Sequence, residues 1–99
     1  MNFAIVGCGH IAKKHAEAIE HIEGANLVAV CDKVPQAMDE YVKKYGAKPY
    51  EDLTDMLNDP SIDVVNICTP SGLHAPIAVE VAKAKKHVIV EKPIALTLE

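Results

Sequence analysis

Short apolar runs rich in β-branched residues alternate along this chain with stretches whose apolar residues recur at helical spacing. The apolar runs predict strands at residues 2–6, 25–31, 48–50, 63–68 and 87–90. The stretches between them predict helices that begin near residues 11, 35, 53 and 73. This strict alternation predicts an α/β fold, a doubly wound parallel sheet of about five strands with helices on both faces.

The first two predicted helices have recognisable ends. The apolar face of the first helix is formed by Ile11, His15, Ala18, Ile19 and Ile22. Gly24 then supplies a stop. In the second helix, Pro35 suits the first turn and Gly46 suits the residue after the last turn. The third strand contains Pro49, which cannot donate a ladder hydrogen bond, so this strand is expected at a sheet edge.

Composition and charge exclude several functions. Hydrophobic residues make up 49% of the 99 residues and charged residues 24%, as expected for one folded domain rather than a disordered chain. The net charge is −4 and all ten basic residues are lysine. The sequence contains no arginine, whose guanidinium group makes bidentate hydrogen bonds to phosphate and guanine. Nucleic acid is therefore not an expected partner. No apolar run approaches the ~20 residues that span a bilayer, and no secretory signal is visible, so no membrane partner is expected.

The three cysteines, Cys8, Cys31 and Cys68, all lie at predicted strand ends. Their odd number and wide spacing argue against a disulfide framework and favour buried free thiols in a reducing cytoplasm. They do not have the spacing of metal ligands, and no metal site is predicted. His15 lies on the apolar face of its helix, which favours a core or interface histidine over a ligand.

The clearest chemical signal is the sequence GCGHIA, residues 7–12, between the first strand and the first helix. Gly7 permits a tight turn, Gly9 lets the backbone approach a pyrophosphate, and Ala12 replaces the third glycine where helix meets strand. The free N–H groups and dipole at the helix start favour an anion. The loop therefore predicts binding of a dinucleotide or a related ribose-phosphate, with a purely structural turn as the alternative.

An acidic residue, Asp32, ends the second strand about twenty residues beyond this loop, where a carboxylate accepts hydrogen bonds from the adenosine ribose hydroxyls. Because a carboxylate repels a 2′-phosphate, Asp32 favours NAD over NADP. Lys33 keeps NADP open, since its ammonium suits a 2′-phosphate. The alternative interpretation makes Asp32 a solvated turn residue and Lys33 a surface charge.

The sequence TPSGLH, residues 69–74, follows the fourth strand. In a doubly wound sheet the first and fourth strands flank the point where the strand order reverses and ligands bind, so Thr69 is expected to face the cofactor. His74 lies at a helix start, where the dipole disfavours the imidazolium form. Spacing alone equally supports a simple strand stop at Thr69 and an ordinary helix-start side chain at His74.

The sequence EKP, residues 91–93, follows the fifth strand. Pro93 pushes Lys92 towards extended geometry, which directs it out of the carboxyl edge of the sheet. A partly desolvated lysine near a nicotinamide ring and a sugar hydroxyl can bond the oxygen and assist its proton transfer. By position alone, an exposed Lys92 paired with Glu91 explains the same residues.

Taken together, these segments resemble the N-terminal domain of the glucose–fructose oxidoreductase/inositol dehydrogenase (Gfo/Idh/MocA) family. The resemblance runs along nearly the whole chain, through AIVGCGHIAKKH, VAVCD, YEDLTDML, DVVNICTPSGLHAPIA and KHVIVEKPIAL. The motifs GCGHIA, TPSGLH and EKP in this order are much more specific than any one of them. Within the family, TPSGLH is most similar to sugar-nucleotide 3-dehydrogenases that act on UDP-linked amino sugars.

The resemblance implies a Rossmann domain that binds NAD or NADP, followed in the family by a larger α+β domain. Residues 1–99 are expected to form the dinucleotide-binding domain, truncated because Thr97 suits the N-cap of a further helix, with the α+β substrate domain absent from this chain. The implied cofactor-binding residues are Gly7, Gly9, His10, Ile11, Asp32, Thr69, His74, Glu91 and Lys92. Lys92 is also the implied catalytic residue, acting in the family with a histidine and often an aspartate of the second domain.

The implied function is hydride transfer between a nicotinamide cofactor and a secondary alcohol of a sugar, sugar nucleotide or polyol. The isolated chain is expected to be inactive, and a dinucleotide-binding module without chemistry is one alternative. An S-adenosylmethionine-dependent methyltransferase is another, but methyl transfer gives no reason for residues 91–93. An uncovered sheet edge or helix-docking surface further predicts a homo-oligomer.

Overall fold

The computed structural model describes residues 1–68 and 74–90, which form five strands and four helices in strict alternation. The strands are β1 (Asn2–Val6), β2 (Asn26–Cys31), β3 (Lys48–Tyr50), β4 (Val64–Ile67) and β5 (His87–Val90). The helices are α1 (His10–Glu20), α2 (Pro35–Tyr45), α3 (Leu53–Leu57) and α4 (His74–Lys83). The predicted elements are all present, although β2 begins one residue later than expected and β4 is one residue shorter at each end.

All four strand pairings are parallel, and the strand order is β3-β2-β1-β4-β5. The chain therefore winds outwards from β1 to β3, crosses back to β4 beside β1, and winds outwards again to β5. This arrangement confirms the predicted doubly wound sheet, with β3 at one edge as its proline suggests. The strand order reverses between β1 and β4, so the carboxyl ends of these two strands are where a ligand is expected.

Both faces of the sheet are buried, and β1 shows this most clearly. Phe3 and Ile5 contribute to a core cluster with residues of α1 and α2, whereas Ala4 and Val6 contribute to a second cluster with residues of α3 and α4. Successive side chains of a strand point to opposite faces, so a central strand covered on both sides must be apolar throughout. This requirement explains the unbroken apolar run at the start of the chain.

The end of α1 differs from the prediction. The helix ends at Glu20 with His21 as its C-cap, three residues before Gly24. Ile22 therefore lies beyond the helix, where 52% of its surface is exposed, and Ala18 is exposed as well. The apolar spacing extended the predicted helix too far because hydrogen bonds from His21 to the carbonyls of Glu17 and Ala18 close the last turn earlier.

The second helix ends as its sequence predicts. Gly46 follows α2 with a φ of 69°, and its N–H donates to the carbonyl of Val42 at 3.0 Å. A left-handed residue after a helix is typically glycine, because a Cβ is strained in this conformation.

His15 lies half-buried on α1, with Nδ1 3.0 Å from Nδ2 of the buried Asn66 on β4. The predicted core histidine thus joins helix and sheet. Among the residues described, no helix has the length and apolar character needed to cross a membrane.

Candidate functional site

A cavity of about 520 Å³ opens at the carboxyl edge of the sheet, above β1, β2 and β4. Its lining combines the glycine loop, the strand ends and neighbouring side chains, namely Val6, Gly7, Gly9, Cys31, Asp32, Lys33, Glu51, Leu53, Cys68 and Ile77. The volume is within the range of small-molecule sites. The cavity lies where the strand order reverses, so the topology and the glycine motif indicate the same place.

The glycine loop forms a tight turn between β1 and α1. Gly7 has a φ of 88°, which strains a residue with a side chain, and its N–H donates to the carbonyl of Cys31 at 2.8 Å. Gly9 is the N-cap of α1, and within the described ranges no side chain caps this helix. The turn therefore presents backbone and the start of a helix to the cavity, as an anion site requires.

The two small residues that flank the helix start have opposite environments. A Cβ placed on Gly9 meets no atom within 4 Å, and the residue's φ of −83° suits any L-amino acid. Ala12, by contrast, is completely buried in the core cluster between helix and sheet. Close helix–strand packing explains the small side chain of Ala12, whereas the chain's own conformation gives no reason for glycine at position 9.

The Asp32 carboxylate joins the two turns that border the cavity. Its Oδ2 accepts the N–H of Cys8 at 2.8 Å, and its Oδ1 accepts the N–H of Val34, the N-cap of α2, at 2.9 Å. A carboxylate has about four acceptor positions, so these bonds leave capacity on both oxygens. Asp32 is half-buried and lines the cavity, and it can therefore hold the glycine loop and accept ligand hydroxyls together.

The cysteines converge on the carboxyl ends of β1, β2 and β4. Cys8 and Cys31 are buried free thiols, and Cys68 is half-buried. Burial, reinforced by the charge of Asp32, raises the pKa of Cys8 to about 12 and that of Cys31 to about 11. Both thiols are therefore neutral near pH 7, as expected of packing residues rather than nucleophiles. Within the described part of the chain, no group of acidic, cysteine and histidine residues could hold a metal.

The structure brings together some of the predicted cofactor-binding residues. Gly7, Gly9 and Asp32 line the cavity, while His10 begins α1 and His74 begins α4. Ile11 is not among the residues that line this cavity, and it lines a separate groove with Phe3, His15 and Ile89. Thr69, Glu91 and Lys92 lie outside the described residues.

Several lining residues were not predicted from the sequence, among them Glu51, Leu53 and Ile77. Leu53 and Ile77 contribute apolar side chains to the wall of the cavity, and Glu51 adds a second carboxylate. Glu51 could have been recognised, because it directly follows β3 and the carboxyl ends of parallel strands share one edge. Leu53 and Ile77 carried no such signal, since their spacing predicts only core-facing helix positions.

Comparison with known proteins gives a family match over the entire chain. The profile of the Gfo/Idh/MocA family, described as an oxidoreductase family with an NAD-binding Rossmann fold, matches residues 1–99. A myo-inositol 2-dehydrogenase of Thermotoga maritima is 36% identical over 99 residues, which cover 99% of this chain and 30% of that protein. The chain thus spans less than a third of the length of this curated relative.

Two solved structures show the same fold at higher identity. The WlbA dehydrogenase of Chromobacterium violaceum, in complex with NADH and UDP-GlcNAcA, is 44% identical with a TM-score of 0.89. The scyllo-inositol dehydrogenase of Lactobacillus casei, with bound NAD(H) and scyllo-inositol, is 38% identical with a TM-score of 0.87. Each superposition covers 95% of this chain and 28% of the other.

The bridging role of Asp32 predicts a stability loss in Asp32→Asn. Asparagine keeps only one acceptor oxygen, so its NH₂ group would face the N–H of Cys8 or of Val34. We expect urea unfolding at pH 7 to show a loss of about 1–2 kcal/mol.

Asp52→Asn is the matched control, because it removes the same charge from the N-cap of α3, where Asp52 accepts a single N–H, that of Thr54. Asparagine and aspartate are nearly equivalent N-caps, so a loss below about 0.5 kcal/mol is expected. Equal losses in the two variants would contradict a bridging role for Asp32.

The raised thiol pKa values predict slow alkylation in the folded protein. With a pKa of about 12, about one Cys8 thiol in ten thousand is ionised at pH 8, against about one in ten at the ordinary pKa of 9.0. Iodoacetamide should therefore modify Cys8 and Cys31 at least about 100-fold more slowly in the native chain than in urea, as measured by peptide mass spectrometry. Comparable native and unfolded rates would rule out this protection.

The same pKa shifts predict how stability depends on pH. The folded chain holds the thiol protons more tightly than the unfolded chain, so this contribution is complete below pH 9 and is lost as the pH rises towards 12. The free energy of unfolding should fall over this interval, and it should fall less steeply in Cys8→Ala.

Proposed function

Since the chain belongs to the Gfo/Idh/MocA oxidoreductase family as an NAD-binding Rossmann domain, we propose that it binds NAD(H) in the cavity at the carboxyl edge. The reaction proposed for the whole protein is hydride transfer between this cofactor and a secondary alcohol of a sugar, sugar nucleotide or polyol. The residues of the chain serve this reaction first by binding and orienting the cofactor.

The observation that carries the proposal is the environment of Gly9. Its backbone conformation is open to any residue, and a side chain there would meet nothing within the described structure. A glycine that the chain does not need for its own folding indicates a second molecule close to its backbone. The position at the start of α1 and on the cavity wall makes a pyrophosphate the fitting group.

The remaining lining fits the other parts of a dinucleotide. The unused acceptor positions of Asp32 suit the adenosine ribose hydroxyls. The apolar side chains of Val6, Leu53 and Ile77 would exclude water from a ring bound in the cavity. The backbone N–H groups of His10 and Ile11 lie in the first turn of α1 and are assigned to the pyrophosphate.

The catalytic part of the proposal concerns residues outside the described ranges. When bound, NAD supplies a ring carbon that accepts a hydride from the alcohol carbon. Lys92 follows β5, which runs parallel to β4, and we assign it the hydrogen bond to the alcohol oxygen and the transfer of its proton. Thr69, His74 and Glu91 are assigned to the cofactor cleft.

The proposed substrate class rests on the relatives, and the proposed assembly rests on the uncovered edge of the sheet. WlbA of C. violaceum binds UDP-GlcNAcA and the L. casei enzyme binds scyllo-inositol, both of which carry several secondary hydroxyls. We extend this class to the present chain, with a second α+β domain completing the substrate site and with self-association as a homo-oligomer. The free thiols of Cys8 and Cys31 support a reducing compartment, and we propose the cytoplasm.

Titration of the purified chain with NADH, followed by nicotinamide fluorescence, tests the binding proposal. The wild type should bind saturably, and Gly9→Ser should weaken binding at least about tenfold, because a side chain occupies the surface that the pyrophosphate approaches. Serine is a favourable N-cap, so the stability of this variant should be unchanged or slightly higher.

Gly46→Ala is the complementary control. Its positive φ should cost about 1–2 kcal/mol of stability, while NADH binding stays at the wild-type level because Gly46 lies outside the cavity lining. A folded wild-type chain that does not bind NADH would refute the proposal, and so would a Gly9→Ser variant that binds normally.

A further inference from the structure

The register between β2 and β3 places a second carboxylate beside Asp32. Cys31 pairs with Tyr50 at the end of this ladder, and the N–H of Asp32 donates to the carbonyl of Tyr50 at 3.1 Å. Asp32 and Glu51 directly follow this last pair, just beyond the ends of two strands whose spacing is about 4.8 Å. Both line the cavity. A group bound at Asp32 therefore also lies in the field of Glu51.

The charges in this part of the lining are unbalanced. Lys33 is the cationic lining residue, against the carboxylates of Asp32 and Glu51. In the described ranges the recorded ion pair joins Lys13 to Glu40, so neither carboxylate is neutralised by an ion pair with Lys33. Because all three charged residues line the same cavity, a dianion bound beside Asp32 would experience this net negative charge, which is screened only over a Debye length of about 8 Å at physiological salt.

The turn after β2 also has few N–H groups to offer a phosphate. The N–H of Val34 already donates to Oδ1 of Asp32 at 2.9 Å, and Pro35 at the first position of α2 has no N–H. A ribose hydroxyl can donate a hydrogen bond, so it suits a part of the cavity whose carboxylates are acceptors. A phosphate on the same ribose brings only further acceptors, and its charge is repelled.

We propose that Glu51 is a specificity-determining residue that, together with Asp32, disfavours a phosphate on the adenosine ribose and so selects NAD(H) over NADP(H). This inference rests on the proposed dinucleotide site and adds a residue from a third strand to it. Glu51 acts by its charge through space, whereas Asp32 acts by direct hydrogen bonds.

Parallel titrations of the chain with NADH and NADPH test this role in Glu51→Gln and Glu51→Lys. Removal of one exposed charge should raise NADPH affinity about threefold, and its reversal about tenfold, as expected for charges several ångströms apart in a high-dielectric environment. NADH affinity should change less than about twofold, and the gain for NADPH should shrink in 0.5 M salt because exposed charges are screened.

Glu23→Gln is the control, because it makes the same change in net charge in the turn after α1, at the opposite edge of the sheet. It should leave both affinities unchanged. If the wild type binds NADH but the Glu51 variants keep its NADH-to-NADPH affinity ratio, the role of Glu51 is refuted and the dinucleotide site stands. If a folded wild-type chain binds neither cofactor, both proposals fail.

Discussion

The pair of hydrogen bonds accepted by Asp32 is the interaction on which the candidate site depends. One oxygen holds the glycine loop after β1, and the other holds the start of α2 after β2. The chain's own hydrogen bonds therefore fix the distance between the turn suited to a pyrophosphate and the acid suited to a ribose. A loop ordered in advance loses less conformational entropy on binding, so this bridge favours affinity as well as stability.

Asp32 can hold both turns because the sheet brings segments that are distant along the chain to the same edge. Parallel pairing of β1 with β2 and β4 places Gly7, Asp32 and Cys68 side by side, although they are far apart along the chain. The burial of both sheet faces fixes this register, since a slip of one residue would exchange the side chains of the two core clusters. The geometry of the cavity is in this sense a consequence of how β1 is packed.

The sequence predicted those features that depend on local rules. The strand–glycine–helix order of residues 2–20 and the acid after β2 are patterns with a direct physical cause, and the structure places Gly7, Gly9 and Asp32 on one cavity. Features that depend on the packing of several helices and strands were harder to predict from the sequence. The sequence predicted that Ile22 lies in the first helix, but hydrogen bonds end that helix at Glu20. The place of Ile77 in the cavity wall becomes visible only when the strand order is known.

Two glycines of this chain illustrate different kinds of constraint. Gly46 is required by the backbone of its own chain, because the φ of 69° strains any residue with a Cβ. The backbone of Gly9 imposes no such requirement, and no atom of the described residues lies within 4 Å of a Cβ at this position. A related protein that no longer bound this ligand would thus still need Gly46, but it could replace Gly9 without loss of stability. On the proposed role of Gly9, the residue at position 9 would record whether selection for cofactor binding has persisted in a lineage, independently of how well the protein folds.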